Sequence, residues 1–222
     1  IILFIFGLIF GSFSNVIIYR FPRNISIIKP NSFCTNCNNE IEWKHKIPLL
    51  SWFALKGKCS YCGSKISFLY PLNEILISLI FIINGLILYS SEYLYLQNNI
   101  ISLCIFSFLV YIIAIIDIQN LLIPNKIIKI GIFLALINGV IISILNNDYY
   151  YLLDRLFSGI LGFLFLKIII FILFLITNKY AFGSGDSKFY GLVGFWLGFN
   201  NLVTTFVLSI YFKISHPNLH PH

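Results

Sequence analysis

Two sets of residues in this 222-residue chain have the types and spacing to do chemistry. The first is a pair of carboxylates. Asp117 closes an apolar run in AIIDIQNLLIPN, and Asp186 stands in AFGSGDSKFYG between two further apolar stretches. An ionised carboxylate at the edge of an apolar segment is costly to desolvate, so its presence asks for a function or a partner. A salt bridge at a helix end, to Lys126 or Lys188, would account for either acid alone. Two acids on one side of a membrane, one framed by Gly183 and Gly185 so that a backbone can come close, point to chemistry instead. Carboxylates sharing a site cannot both ionise easily, so such a pair holds one proton. One then activates water while the other protonates or polarises a carbonyl, which is aspartic peptidase chemistry. Gly183, Gly185 and Lys188 form the expected active-site loop around Asp186. No Ser or Cys in these segments stands with a His to make a competing nucleophile.

The second set is four cysteines in CTNCNNEIEWKHKIPLLSWFALKGKCSYC. Cys34 and Cys37 form one CxxC and Cys59 and Cys62 another, with 21 residues between them. Two such pairs supply four thiolates for a structural, tetrahedral Zn²⁺. A redox-active pair would call for one CxxC, and a cytoplasmic loop is too reducing for disulfides. Four thiolates leave no ligand position for His45, which reads as an exposed loop histidine. Cys104, alone in an apolar run, reads as a small buried residue. So short a loop has few core residues, and its fold would depend on the metal.

The elements that position these groups follow from composition. The chain is 59% hydrophobic and 10% charged, with a mean hydropathy of +0.90, whereas a soluble domain carries about a quarter charged residues. An all-α polytopic membrane protein is the fold class, with about six transmembrane helices near 1–19, 72–89, 100–116, 127–145, 156–176 and 189–210. Each approaches the roughly 20 residues that a span needs. Pro71 is placed as a first-turn proline for the second span. The resulting organisation is a first helix (1–19), a cysteine loop (20–71), a membrane core carrying both aspartates (72–210) and an atypical tail (211–222) without helical pattern. The chain contains no Met and opens on Ile1, so the N-terminus is expected to be truncated or processed, and the tail suggests the same at the C-terminus. The first segment is too long for a signal-peptide core and lacks a cleavage site.

The net charge of +7 is a topology signal. Eight of the fifteen Lys and Arg lie in 20–71, and Lys126, Lys129, Lys179 and Lys188 fall on the same side. Arg155 is alone in the opposite loops. The positive-inside rule puts the basic side, both aspartates and the cysteine loop in the cytoplasm. No basic face interleaved with aromatics suggests nucleic acid. Gly7 with Gly11, and Gly194 with Gly198, are GxxxG pairs read as packing sites.

The sequence resembles the bacterial type IV prepilin peptidases, also called leader peptidase/N-methyltransferases, within the GxGD membrane aspartyl proteases. The resemblance rests on GSFSNVIIYRFPR, the two CxxC pairs, IPLLSWFALKGKC, YPLNE, DIQNLLIPN and GSGDSK in that order. It implies cleavage of the basic leader of single-pass prepilins or pseudopilins, after a glycine, at the cytoplasmic face of a bacterial inner membrane. Asp117 and Asp186 become the catalytic pair and the four cysteines the zinc loop of bifunctional members. It also implies S-adenosylmethionine as donor for methylating the new N-terminal residue. Two departures stand out: Leu69 where an Arg is expected before Tyr70–Pro71, and a tail where further apolar segments are usual. A peptidase without methyl transfer is the nearest alternative, because no glycine-rich nucleotide fingerprint appears in 20–71. A cation-binding transporter or scaffold is the reading from another class, although transporters favour acids at mid-membrane.

Overall fold

A computed structural model describes residues 1–90, 100–178 and 183–215. The loop through residues 91–99, Lys179 and the last seven positions of the tail lie outside the described residues. Among the described residues the α-helices are α1 (Ile2–Arg20), α2 (Leu50–Ala54), α3 (Leu69–Ser90), α4 (Ile100–Asn120), α5 (Asn125–Asn146), α6 (Tyr149–Thr177) and α7 (Ser184–Ser215). All but the five-residue α2 are long and apolar enough to cross a membrane. The chain divides into two compact units, Ile1–Leu121 and Leu122–His222. That division falls inside the stretch expected to form one membrane core, because α4 packs on α1 and α3.

In the first unit α1 and α3 bury small and polar residues along their contact, and α4 buries large apolar ones. On α1, Gly7, Gly11, Ser14, Ile17 and Ile18 recur at helical spacing and are buried, whereas Ile2, Ile5, Phe6, Ile9 and Phe13 are exposed. Helices that are apolar all round suit lipid, where tight backbone approach rather than burial of oil drives association. A Cβ added to Gly11 would sit 2.5 Å from the Glu74 Cα, and one on Gly7 would collide with Ser78. The first GxxxG pair is therefore the α1–α3 contact. Ile77, Phe81, Phe108, Ile112 and Ile116 fill the interior beside it, and Cys104 is buried as expected. Three polar side chains tie the unit together. Tyr111 donates to Asn73 (2.7 Å), Asn73 to Asn15 (2.7 Å), and Asn15 to the Tyr70 carbonyl (3.1 Å).

In the second unit α6 and α7 meet along glycines. Gly191 lies where a Cβ would come 3.1 Å from the Phe163 Cβ, and a Cβ on Gly194 would strike the Ser158 carbonyl. The Trp196 indole crosses to α5 and donates to the Gly131 carbonyl at 3.0 Å. Gly198 does not do what the GxxxG reading expected. It interrupts α7 with φ 76° and ψ −180°, a region essentially reserved for glycine. Asp154 stands where its side chain would be, and Arg155 donates to the Trp196 carbonyl (2.8 Å) freed by the break. The fifth span starts at Tyr149 rather than near 156, because the Asp148 side chain caps it by accepting from the Tyr150 N–H (3.0 Å). At the other end of the chain, helix continues through Ser215, five residues into the stretch expected to lack helical pattern.

Candidate functional site

The cysteine loop is built twice. In the first half Cys34 N–H donates to the Asn39 carbonyl (3.0 Å) and Asn38 N–H to the Cys34 carbonyl (2.9 Å). In the second, Cys59 N–H donates to Ser64 (2.8 Å) and Gly63 N–H to Cys59 (3.0 Å). Outer bonds repeat as well, Ile41 to Ser32 at 2.8 Å and Ile66 to Gly57 at 2.7 Å. Each half closes through an antiparallel bridge, Phe33 with Glu40 and Lys58 with Lys65. The residue after each CxxC has positive φ, 58° at Asn38 and 69° at Gly63, which Asn and Gly tolerate best. Those two residues are a sequence signal of the repeat that counting cysteines alone overlooks.

The two turns bring all four sulfurs within 4.8 Å of one another. Cys34 and Cys62 Sγ are 3.9 Å apart, against about 3.8 Å for thiolates around a tetrahedral zinc with Zn–S near 2.3 Å. The Ser64 hydroxyl, 3.1 Å from Cys62 Sγ, is the main cause that draws the Cys62 thiol down to about 6. Cys37 is pushed up to about 11: the Asn39 backbone N–H holds it down, but desolvation and the neighbouring thiols outweigh that. Four crowded sulfurs cannot all ionise without a cation among them, and the donor set fits a metal ion that takes thiolates.

The loop is fastened to the membrane helices by residues the sequence reading did not single out. Arg20, only 4% exposed, donates to the carbonyls of Ser26 (3.0 Å) and Asn31 (3.0 Å). Its guanidinium also lies 5.7 Å from the Phe33 ring centroid. Glu74 accepts the Leu49 N–H at 2.7 Å. His45 is not an exposed loop histidine: it lies in a short 3₁₀ turn, Trp43–Lys46, with Nδ1 buried. Polar residues within apolar runs, Asn15, Arg20, Asn73 and Glu74, were the available signal.

The aspartates sit at opposite kinds of helix end. Asp117 occupies the last turn of α4, half-buried, and its carbonyl accepts the Leu121 N–H at 2.7 Å as Leu121 turns left-handed at φ 52°. Asp186 lies in the first turn of α7, half-buried, and its carboxylate accepts the Gly183 N–H at 2.9 Å. In return the Asp186 N–H donates to the Gly183 carbonyl at 3.2 Å. The Asp186 side chain thus makes the N3 half of a capping box, at the end of a helix where negative charge is favoured. Gly183 is open around its Cβ position, with Asp186 Oδ2 nearest at 3.7 Å. A Cβ on Gly185 would come 2.7 Å from the Ile123 Cβ. Lys188 donates to Asn125 Oδ1 at 2.8 Å, joining α7 to the start of α5. Asp117 belongs to the first unit; Asp186 and its loop belong to the second.

Six apolar spans define a multi-pass membrane protein, with an insertion between its first two spans whose four thiols could hold a metal ion. Residues 5–88 match the bacterial Peptidase A24 N-terminal domain, and residues 104–216 match the type IV leader peptidase family. The chain belongs to the type IV leader peptidase family. It is 34% identical over 213 residues to a prepilin leader peptidase/N-methyltransferase of Klebsiella pneumoniae, covering 93% of this chain and 89% of the relative. The protein of the same name from Bacillus subtilis is 39% identical over 210 residues, 94% of this chain and 78% of the relative. The one from Aeromonas salmonicida is 28% identical over 233 residues, 94% and 76%. No solved structure matches the chain.

Proposed function

We propose that the chain is an aspartic endopeptidase of the bacterial cytoplasmic membrane that removes the basic leader from type IV prepilins or pseudopilins. Asp117 and Asp186 are its working carboxylates, facing the cytoplasm, and it also methylates the amine that cleavage exposes. The observation carrying this reading is likeness along 93% of the chain to a relative bearing both activities in its name. The local geometry supports the peptidase half. A carboxylate at the start of a helix, beside the open backbone of Gly183, can accept a proton from water as the water oxygen bonds to the scissile carbonyl carbon. The second carboxylate supplies the proton with which the amine leaves, and the C–N bond breaks.

Four thiolates at tetrahedral spacing support a structural Zn²⁺ held by Cys34, Cys37, Cys59 and Cys62. S-adenosylmethionine, when bound, supplies an electrophilic methyl group; the amine must meet it as the free base. The test uses membranes containing the full chain and a prepilin with its leader intact, followed by mass. Loss of the leader is expected, then a gain of one methyl group. An unchanged substrate overturns the whole reading, and cleavage without the added methyl overturns its second half.

A further inference from the structure

Within the first unit, the insertion between α1 and α3 turns a set of large apolar side chains outward. On the five-residue α2, Leu50 and Phe53 stand three positions apart, on one face of the helix, and are 68% and 61% exposed. Phe68 and Leu69, where the chain enters α3, are exposed as well. The patch is continuous across Trp52, whose ring lies 5.4 Å from that of Phe53 and 5.7 Å from that of Phe68. Hydrogen bonding fixes the depth of this patch. The 22 residues of α3 span about 33 Å, little more than the roughly 30 Å of a bilayer's hydrocarbon. A helix that short must use its whole length to cross, so Leu69 stands at the boundary and Glu74 about 7 Å inside it. The Glu74 carboxylate accepts the Leu49 N–H at 2.7 Å, and Leu49 takes up φ 58° to offer it. That bond draws the start of α2 down beside the span. Helices lying in a membrane surface sink their apolar face about 5–10 Å into the headgroup and acyl boundary, the same range.

Around the patch the charge is positive. Residues 20–68 hold eight Lys and Arg against Glu40 and Glu42, and Glu42 is already paired with Lys44 at 2.7 Å. Lys46 and Lys56, both exposed, flank α2 along the chain. We propose that Leu50, Phe53 and Phe68 are seated in the bilayer surface on the insertion's side, with Lys46 and Lys56 on the phosphates of anionic phospholipid. Apolar side chains take the acyl boundary and ammonium groups the headgroups, as in an interfacial anchor. A second copy would bring the same excess of positive charge to this face, and a basic leader would be repelled by it, so lipid is the occupant that fits. The contact needs neither cleavage nor methyl transfer. Its effect is to hold the four-thiol loop against the membrane, where a single-pass substrate emerges.

The test puts the photoreactive residue p-benzoylphenylalanine in place of Phe53, in the full chain reconstituted into vesicles of phosphatidylethanolamine and phosphatidylglycerol. The same residue in place of Ile5, exposed on α1, is the reference for a side chain in lipid. After irradiation, intact mass should show the chain plus one phospholipid at both positions. At position 53 phosphatidylglycerol adducts should exceed that lipid's share of the vesicle by about twofold or more, and at position 5 they should match it. Lys46→Gln combined with Lys56→Gln should return position 53 to that share, as should high salt. If the probe at Phe53 lowers helical content, Leu50 carries it instead. Lipid adducts at position 5 with none at position 53 overturn the proposal. So does an adduct of twice the chain mass, or one with a prepilin added to the vesicles in place of lipid. Lipid adducts at position 53 with no excess of phosphatidylglycerol overturn the role of the two lysines. Prepilin cleavage in the same vesicles is read separately, and its loss would count against the peptidase and not against the lipid contact.

Discussion

Single side chains carry the cleavage chemistry, and there the sequence was most informative about type and least about surroundings. GSGD and the acid ending the third span identified Asp186 and Asp117 as candidates, because charge beside apolar runs is rare enough to notice. The bond that the Asp186 carboxylate takes from the Gly183 N–H was not legible, since it depends on where α7 begins. Asp117→Asn and Asp186→Asn are each expected to lower leader cleavage by at least about 100-fold, the scale of a lost general acid or base. Helical content by circular dichroism should stay unchanged, and a purified variant that still cuts at the wild-type rate would remove the carboxylates from the mechanism. The thiols give a pH prediction. Cys62 lies at about 6, below its ordinary 9.0, so it is largely thiolate at neutral pH and loses that charge as the pH falls through about 6. Zinc retention, followed with a metal indicator as the pH is lowered from about 8 to 5, should fall because protons compete for the thiolate ligands.

Elements were legible wherever their cause was local. Long apolar runs gave the six spans, and CxxC spacing gave the metal turns. Positions set by packing were not. Gly194 and Gly198 look alike in sequence, but one lets α6 approach and the other breaks α7 beside Asp154 and Arg155. That Gly185 packs against Ile123 could not be read from GSGD either. Gly198→Ala is expected to destabilise the second unit by about 1–3 kcal/mol from backbone strain, and the contact with Asp154 adds to that. Thermal unfolding in detergent would measure it, and an unchanged midpoint would mean that the break does not need glycine. In the first unit, Cys34→Ser or Cys59→Ser should lower bound zinc towards none and loosen the loop. Metal analysis of protein purified without chelators decides this, and full zinc occupancy in either variant would exclude a four-thiolate site.

For the molecule as a whole, the spans were read from composition, whereas the division after Leu121 was not, because it depends on which helices α4 packs against. Carboxylates at helix ends in a protein this apolar can act only on a substrate that brings its scissile bond to the membrane boundary. A pilin does so with a helix of its own, while its leader's Lys and Arg stay near anionic headgroups, worth about 1 kcal/mol each. A leader fused to a soluble protein without that helix should be cut far more slowly in the same lipid, and equal rates would refute lateral docking. The repeated cysteine turns have one more consequence. With an ion gripped by both, the chain from Cys34 to Cys62 becomes a closed ring, fastened by coordination instead of a peptide bond. A protease that nicks the ring near Trp43–Lys46 would leave two fragments joined both by the ion and by the packing of α1 on α3, and a chelator would remove only the first of these ties.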